Sequence, residues 1–154
     1  MVFLQGIFII AAITIIEVSE GKELHLYTMK KDWQGALDFC KRKQWNLATT
    51  VTKQAHGELG EAINACRSKC GGSEFTSSWT AGTSFKRDEN NKKIFEWAGL
   101  NKEIGSFGWQ HNQPDNFKNN ENCVEAKKFE GRRQIFLNDR PCSDIYNIIC
   151  ENQP

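Results

Sequence analysis

Six cysteines, at positions 40, 66, 70, 123, 142 and 150, limit this chain more than any other feature. An even number of cysteines in a small exported chain reads as a disulfide framework, and such a framework fixes which distant segments lie side by side. The spacing alone leaves the pairing open. Zinc is the poorer reading. Cys66-x-x-x-Cys70 has no second pair at matching spacing, and His25, His56 and His111 are scattered.

The amino-terminal residues agree with export. Residues 2–16 are an apolar run that stops at Glu17, with no Lys or Arg before Lys22. A membrane span needs about 20 apolar residues, so the run reads as a secretory signal peptide over residues 1–21 rather than a short membrane anchor. Ser19 and Gly21 allow cleavage near residues 19–22. Residues 22–154 then form one secreted, extracellular domain. Charge points to no polyanion: 20 Lys and Arg face 19 Asp and Glu, a net of +1, with no basic or acidic tail. Nucleic acid is therefore not an expected partner.

Along the chain the helical signals come first. Residues 23–27 alternate and suit a strand. Asp32 can cap a helix reaching about Lys43, with Trp33, Ala36, Phe39 and Cys40 on one face. A second helix starts near Thr52 with Ala55, Leu59, Ala62, Ile63 and Cys66 on one face, and Gly71-Gly72 stops it. After residue 75 the helical period is lost. Residues 101–122 are rich in Asn, Gly and Gln and read as a long irregular loop, of the kind that usually carries function. Strands return at 123–129, 134–137 and 145–151. Helices followed by strands mean an α+β fold.

Gln113-Pro114-Asp115 lies in that loop, followed by Glu121-Asn122-Cys123 and later by Asn138-Asp139. Gln113, Asp115, Glu121, Asn138 and Asp139 all offer side-chain oxygens, the donors a hard cation such as calcium prefers. By composition alone they are equally a solvated polar loop.

Their order changes the reading. The chain resembles the C-type lectin domain family over about residues 24–152. The match runs through Trp33, Ala36 and Cys40, Trp79-Thr80-Ala81-Gly82, Phe95-x-Trp97, Phe107-Gly108-Trp109, Gln113-Pro114-Asp115, Glu121-Asn122-Cys123, Asn138-Asp139, Cys142 and Cys150. The layout is similar to the small secreted single-domain lectins of invertebrates. The resemblance implies two helices packed on antiparallel sheets, a long irregular calcium- and sugar-binding loop, and disulfides Cys40–Cys150 and Cys123–Cys142. Cys66 and Cys70 lie outside the family core. Their pairing with each other requires the helix to end by Cys66–Arg67, because i,i+4 side chains of a regular helix stand too far apart for a disulfide. The alternative is an intermolecular bond that makes a dimer.

The resemblance further implies calcium held by Gln113, Asp115, Glu121, Asn138 and Asp139. Gln113, Asp115, Glu121 and Asn138 would also meet the sugar hydroxyls, and Pro114 is expected to be cis. Relatives with Gln-Pro-Asp resemble galactose binders, so galactose-type glycans on cell or microbial surfaces are the implied partners, in innate immune recognition or agglutination. Phe117 stands where galactose-selective relatives often carry a stacking Trp. An auxiliary calcium site looks degraded, since its acids fall on Phe85, Asn116 and Asn122, with Glu89 and the shared Glu121 remaining. One calcium is therefore expected. The five tryptophans read as core. Avidity would need a homo-oligomer or a partner protein. The alternative function is a protein-binding module that keeps the fold without sugar binding. No nucleophile elbow, His-Glu-x-x-His or triad points to an enzyme.

Overall fold

The computed structural model describes residues 13–17, 22–70 and 75–152. Helix α1, Trp33–Arg42, begins where the Asp32 side chain accepts the Gly35 amide at 2.8 Å and ends on the cations Lys41 and Arg42. Both ends match the helix dipole and its unpaired amides. Its buried face is Trp33, Ala36 and Cys40. Helix α2, Lys53–Lys69, is capped by Thr52, which accepts the Ala55 amide at 3.0 Å.

Nine strands are described, in one mixed sheet. They are β1 (Ile13–Glu17), β2 (Glu23–Lys31), β3 (Asn46–Leu47), β4 (Ser77–Arg87), β5 (Lys93–Trp97), β6 (Lys102–Glu103), β7 (Cys123–Lys128), β8 (Ile135–Arg140) and β9 (Tyr146–Glu151). The path runs β1-β2-β9-β4-β5-β6, while β7 pairs with both β4 and β8. Strand β4 is parallel to β9 and antiparallel to β5 and β7. It is buried from Ser78 to Ser84, as a strand between two layers must be. The chain is α+β with two helices on the sheet, as its sequence leads one to expect.

The disulfides Cys40–Cys150 and Cys123–Cys142 are both formed. Their sequence separations of 110 and 19 correspond to about 5 and about 3 kcal/mol in the chain-entropy picture. The first ties α1 to β9. The second ties β7 to the turn after β8, whose Cys142 carbonyl accepts the Trp33 amide at 3.0 Å. Cys66 and Cys70 also pair with each other. The helix does not end by Cys66–Arg67 to allow it, however. It continues to Lys69, with the Cys70 amide still bonded to the Cys66 carbonyl and the two Cα atoms 5.1 Å apart. That separation lies within disulfide range without unwinding the helix.

Trp33, Trp79 and Trp97 are buried as expected. Trp45 and Trp109 are only partly buried: Trp45 stacks on His25 at 3.8 Å, and Trp109 packs edge-on against Phe95 at 5.3 Å. Strand β1 falls inside the expected signal peptide and pairs antiparallel with β2, from Ile13 opposite Tyr27 to Glu17 opposite Glu23. The rest of residues 1–21 lies outside the described residues.

Two glycines mark close approaches. A Cβ on Gly82 would stand 2.7 Å from Val124, so β4 and β7 meet there only through glycine. Gly108 has φ +86°, and a Cβ on it would stand 2.8 Å from the His56 ring. His56 is itself fixed by donating Nε2–H to the Ile135 carbonyl at 3.0 Å. Gly108→Ala therefore combines left-handed strain with overpacking and is expected to cost about 2–4 kcal/mol. Chemical denaturation checks this, and a loss below about 1 kcal/mol would contradict the packing described.

Candidate cation-binding loop

The long loop is laid onto β8 before it reaches the site. Trp109 forms a parallel bridge with Leu137, the Leu137 amide donates to the Gly108 carbonyl at 2.7 Å, and the Gln110 amide donates to the Leu137 carbonyl at 2.9 Å. Leu137 is fully buried. The two residues after Leu137 are Asn138 and Asp139, so seating the loop on Leu137 brings its second half against them.

Asp139 makes the central contact. It is fully buried, and its carboxylate accepts the Asp115 amide at 3.1 Å and the Asn116 amide at 2.8 Å. Just before Asp115, the Gln113–Pro114 peptide is cis. Just after it, the chain turns tightly, with Asn116, Lys118 and Asn119 all in the left-handed region and one 3-10 turn over Phe117–Asn119. The Phe117 amide is shared by Glu121 Oε2 at 2.8 Å and Asp115 Oδ1 at 3.2 Å. One oxygen each of Asp115, Glu121 and Asp139 then lies within 4.8 Å of the others.

The structure brings these three carboxylates together. The two amides are placed differently. Gln113 turns its Oε1 onto the Asp115 amide at 3.1 Å. Asn138, opposite Glu125 across β7 and β8, donates Nδ2–H to Glu125 Oε1 at 2.9 Å. That bond decides which amide atom faces away from Glu125: the nitrogen is used, and the oxygen is the end a cation would take. Glu125 is 1% exposed, and its Oε2 has no hydrogen-bond partner among the described residues. Sequence reasoning missed Glu125. Its one signal was an acid at an inward position of a strand. Lys93 was missed as well. It donates to Asn116 Oδ1 and, at 2.7 Å, to the Glu121 carbonyl. Phe117, the expected sugar-stacking residue, is 61% exposed beside the cluster, with Lys118 Nζ over its ring at 5.3 Å.

The electrostatics suit a missing positive charge. Burial raises the Glu121 carboxyl to about 7; the Phe117 amide opposes this, and the neighbouring Asp139 and Asp115 add to it. Burial raises Asp139 too, against the amides that bond it. Carboxylates this close repel one another unless a cation or a proton intervenes. Three convergent carboxylates with amide oxygens nearby fit a hard, oxygen-seeking cation in donor type and charge.

A pH dependence follows. In the metal-free domain the folded-state pKa of Glu121 lies above its ordinary 4.5. Its contribution to stability is then full below about 4.5 and is lost as pH rises through about 7. Glu121→Gln keeps the acceptor for the Phe117 amide and removes the titration. In a chelator at pH 8 the variant is expected to be more stable than the parent by about 1–3 kcal/mol, with the gap closing in acid. Denaturation curves across that range check it. A gap that is absent, or that widens in acid, would contradict the assignment.

Comparison with known proteins places this geometry in a family. The profile of the Lectin C-type domain matches residues 29–152. The C-type isolectin Sp-CL4 of Scorpaena plumieri is 27% identical over 135 residues, covering 86% of this chain and 82% of that protein. C-type lectin BML-1 of Bungarus multicinctus is 38% identical over 65 residues, and that match spans 42% of this chain and only 39% of the relative. Among solved structures, the C-type lectin CEL-I from Cucumaria echinata superposes with a TM-score of 0.67 at 18% identity, covering 88% of this chain and 92% of that one. The mouse scavenger receptor C-type lectin carbohydrate-recognition domain gives 0.65 at 22% identity, covering 90% and 93%. At such identities the structural likeness is one of fold. With the profile spanning most of its length and this fold beneath it, the chain belongs to the C-type lectin domain family.

Proposed function

We propose that this protein is a secreted, calcium-dependent lectin for galactose or N-acetylgalactosamine at glycan ends, acting in innate immune recognition or agglutination. The observation that carries the reading is the convergence of Asp115, Glu121 and Asp139 within 4.8 Å, in a loop that also presents the exposed ring of Phe117. Calcium, when bound, supplies coordination positions that two neighbouring sugar hydroxyls can fill. The chain's own part is to gather the carboxylates, to offer the Gln113 and Asn138 amides beside them, and to set donors and acceptors around the hydroxyls. In Gln113-Pro114-Asp115 the charge sits on the third residue. The acceptor therefore lies on the Asp115 side and the amide on the Gln113 side, an order that favours the equatorial 3-OH and axial 4-OH of galactose. Phe117 is available to the apolar face of the sugar. Nothing in this cluster performs chemistry on the sugar, and the family's members are in general binding proteins rather than enzymes.

In this reading residues 1–21 are a signal peptide, cleaved near residues 19–22, and the mature domain spans residues 22–154. No helix among the described residues is long and apolar enough to cross a membrane. A single site of this kind binds weakly, so a homo-oligomer or a partner protein supplies avidity.

The test is retention of the secreted protein, its amino terminus read by mass spectrometry, on immobilised galactose. Retention is expected with calcium and not with a chelator, and galactose should release the protein at lower concentration than mannose. Phe117→Ala should weaken galactose binding about three- to tenfold, the range of one aromatic contact. Release by both sugars at equal concentration would remove the galactose selectivity and the role of Phe117. Retention that ignores the chelator would remove the calcium mechanism. Absence of retention on any sugar column would favour a protein-binding module.

A further inference from the structure

Lys93 opens β5 after Asn90-Asn91-Lys92, a run that reads as an exposed polar turn. Its ammonium instead enters the base of the loop and bonds to Asn116 Oδ1 and the Glu121 carbonyl. Asn116 Oδ1 also accepts the Glu121 amide at 3.3 Å. These bonds close a ring around residues 116–121, the stretch with three non-glycine residues at positive φ: Asn116 at 49°, Lys118 at 53° and Asn119 at 57°. Such a stretch persists only when its surroundings hold it. An ammonium and a hard cation select the same partners, amide and carbonyl oxygens.

We propose that Lys93 is a tethered cation that pins residues 116–121 to β5. The Asp115, Glu121 and Asp139 cluster is then the exchangeable site. An ion leaves when calcium is withdrawn; the Lys93 ammonium cannot. The tight turn therefore stays folded in the metal-free protein, and an arriving cation meets carboxylates already gathered. The exchange of calcium at the neighbouring cluster rests on the lectin reading; the pinning by Lys93 does not, and its test contains neither metal nor sugar.

Hydrogen exchange of the full protein in a chelator, read by mass spectrometry, makes that test on the parent, Lys93→Met and Lys93→Arg. Methionine keeps most of the stem and removes the charge; arginine keeps the charge. In Lys93→Met, exchange over residues 113–122 is expected to accelerate about tenfold or more, the scale of losing hydrogen bonds to a charged group. Peptides from α1 should be unchanged. Lys93→Arg should stay within about threefold of the parent, since it restores a cationic donor. An unchanged loop in Lys93→Met would overturn the proposal. So would equal acceleration by Met and Arg, or acceleration spread through α1, because either result assigns Lys93 to general packing.

Discussion

The long-loop end of this molecule hangs on one carboxylate. Asp139 reaches from β8 into the loop and accepts two successive amides, those of Asp115 and Asn116. Everything beneath it serves to deliver that group. Cys123–Cys142 locks β7 to the turn beyond β8, β7 is held by β4, and the loop is first seated on Leu137, two residues before Asp139. A buried carboxylate must be hydrogen-bonded or neutralised. Bonding to loop amides satisfies Asp139 only in part, and the same geometry draws Asp115 and Glu121 to it.

The result is a balance of charge. Three carboxylates share a space less than 5 Å across, which burial alone would oppose and mutual repulsion opposes further. The chain meets that cost on two sides. Backbone amides of Asp115, Asn116 and Phe117 face the oxygens, and the Lys93 ammonium stands behind the loop on Asn116 and Glu121. What is left uncompensated is a negative cluster open to solvent through the exposed Asp115, a place for a hard cation. Behind Asn138, the buried Glu125 fixes the amide that would offer its oxygen to the same ion.

Much of this was legible in the sequence, and unevenly so. Helices α1 and α2 announced themselves by caps at Asp32 and Thr52 and by apolar residues three and four apart. The family resemblance supplied two disulfides and the three acids. Strand β4 was less visible. It is buried on both sides from Ser78 to Ser84, so it lacks the alternation that marks a half-exposed strand. The stop of α2 ahead of Gly71-Gly72 was legible, whereas the condition that a Cys66–Cys70 bridge needs the helix to end by Cys66–Arg67 is not met: the two cysteines bridge with the helix intact to Lys69. Lys93 and Glu125 were illegible for a different reason. A lysine in a polar run and a glutamate in a strand reveal nothing until the partner segments, 116–121 for one and β8 for the other, are folded against them.

In the reading proposed above, this loop holds one exchangeable cation through Asp139 and its neighbours. Calorimetric titration of the purified protein with calcium near neutral pH tests it most directly, run alongside Asp139→Asn. One calcium per chain is expected in the parent and no measurable binding in the variant. Two calcium ions per chain, none, or an undiminished response in Asp139→Asn would contradict it.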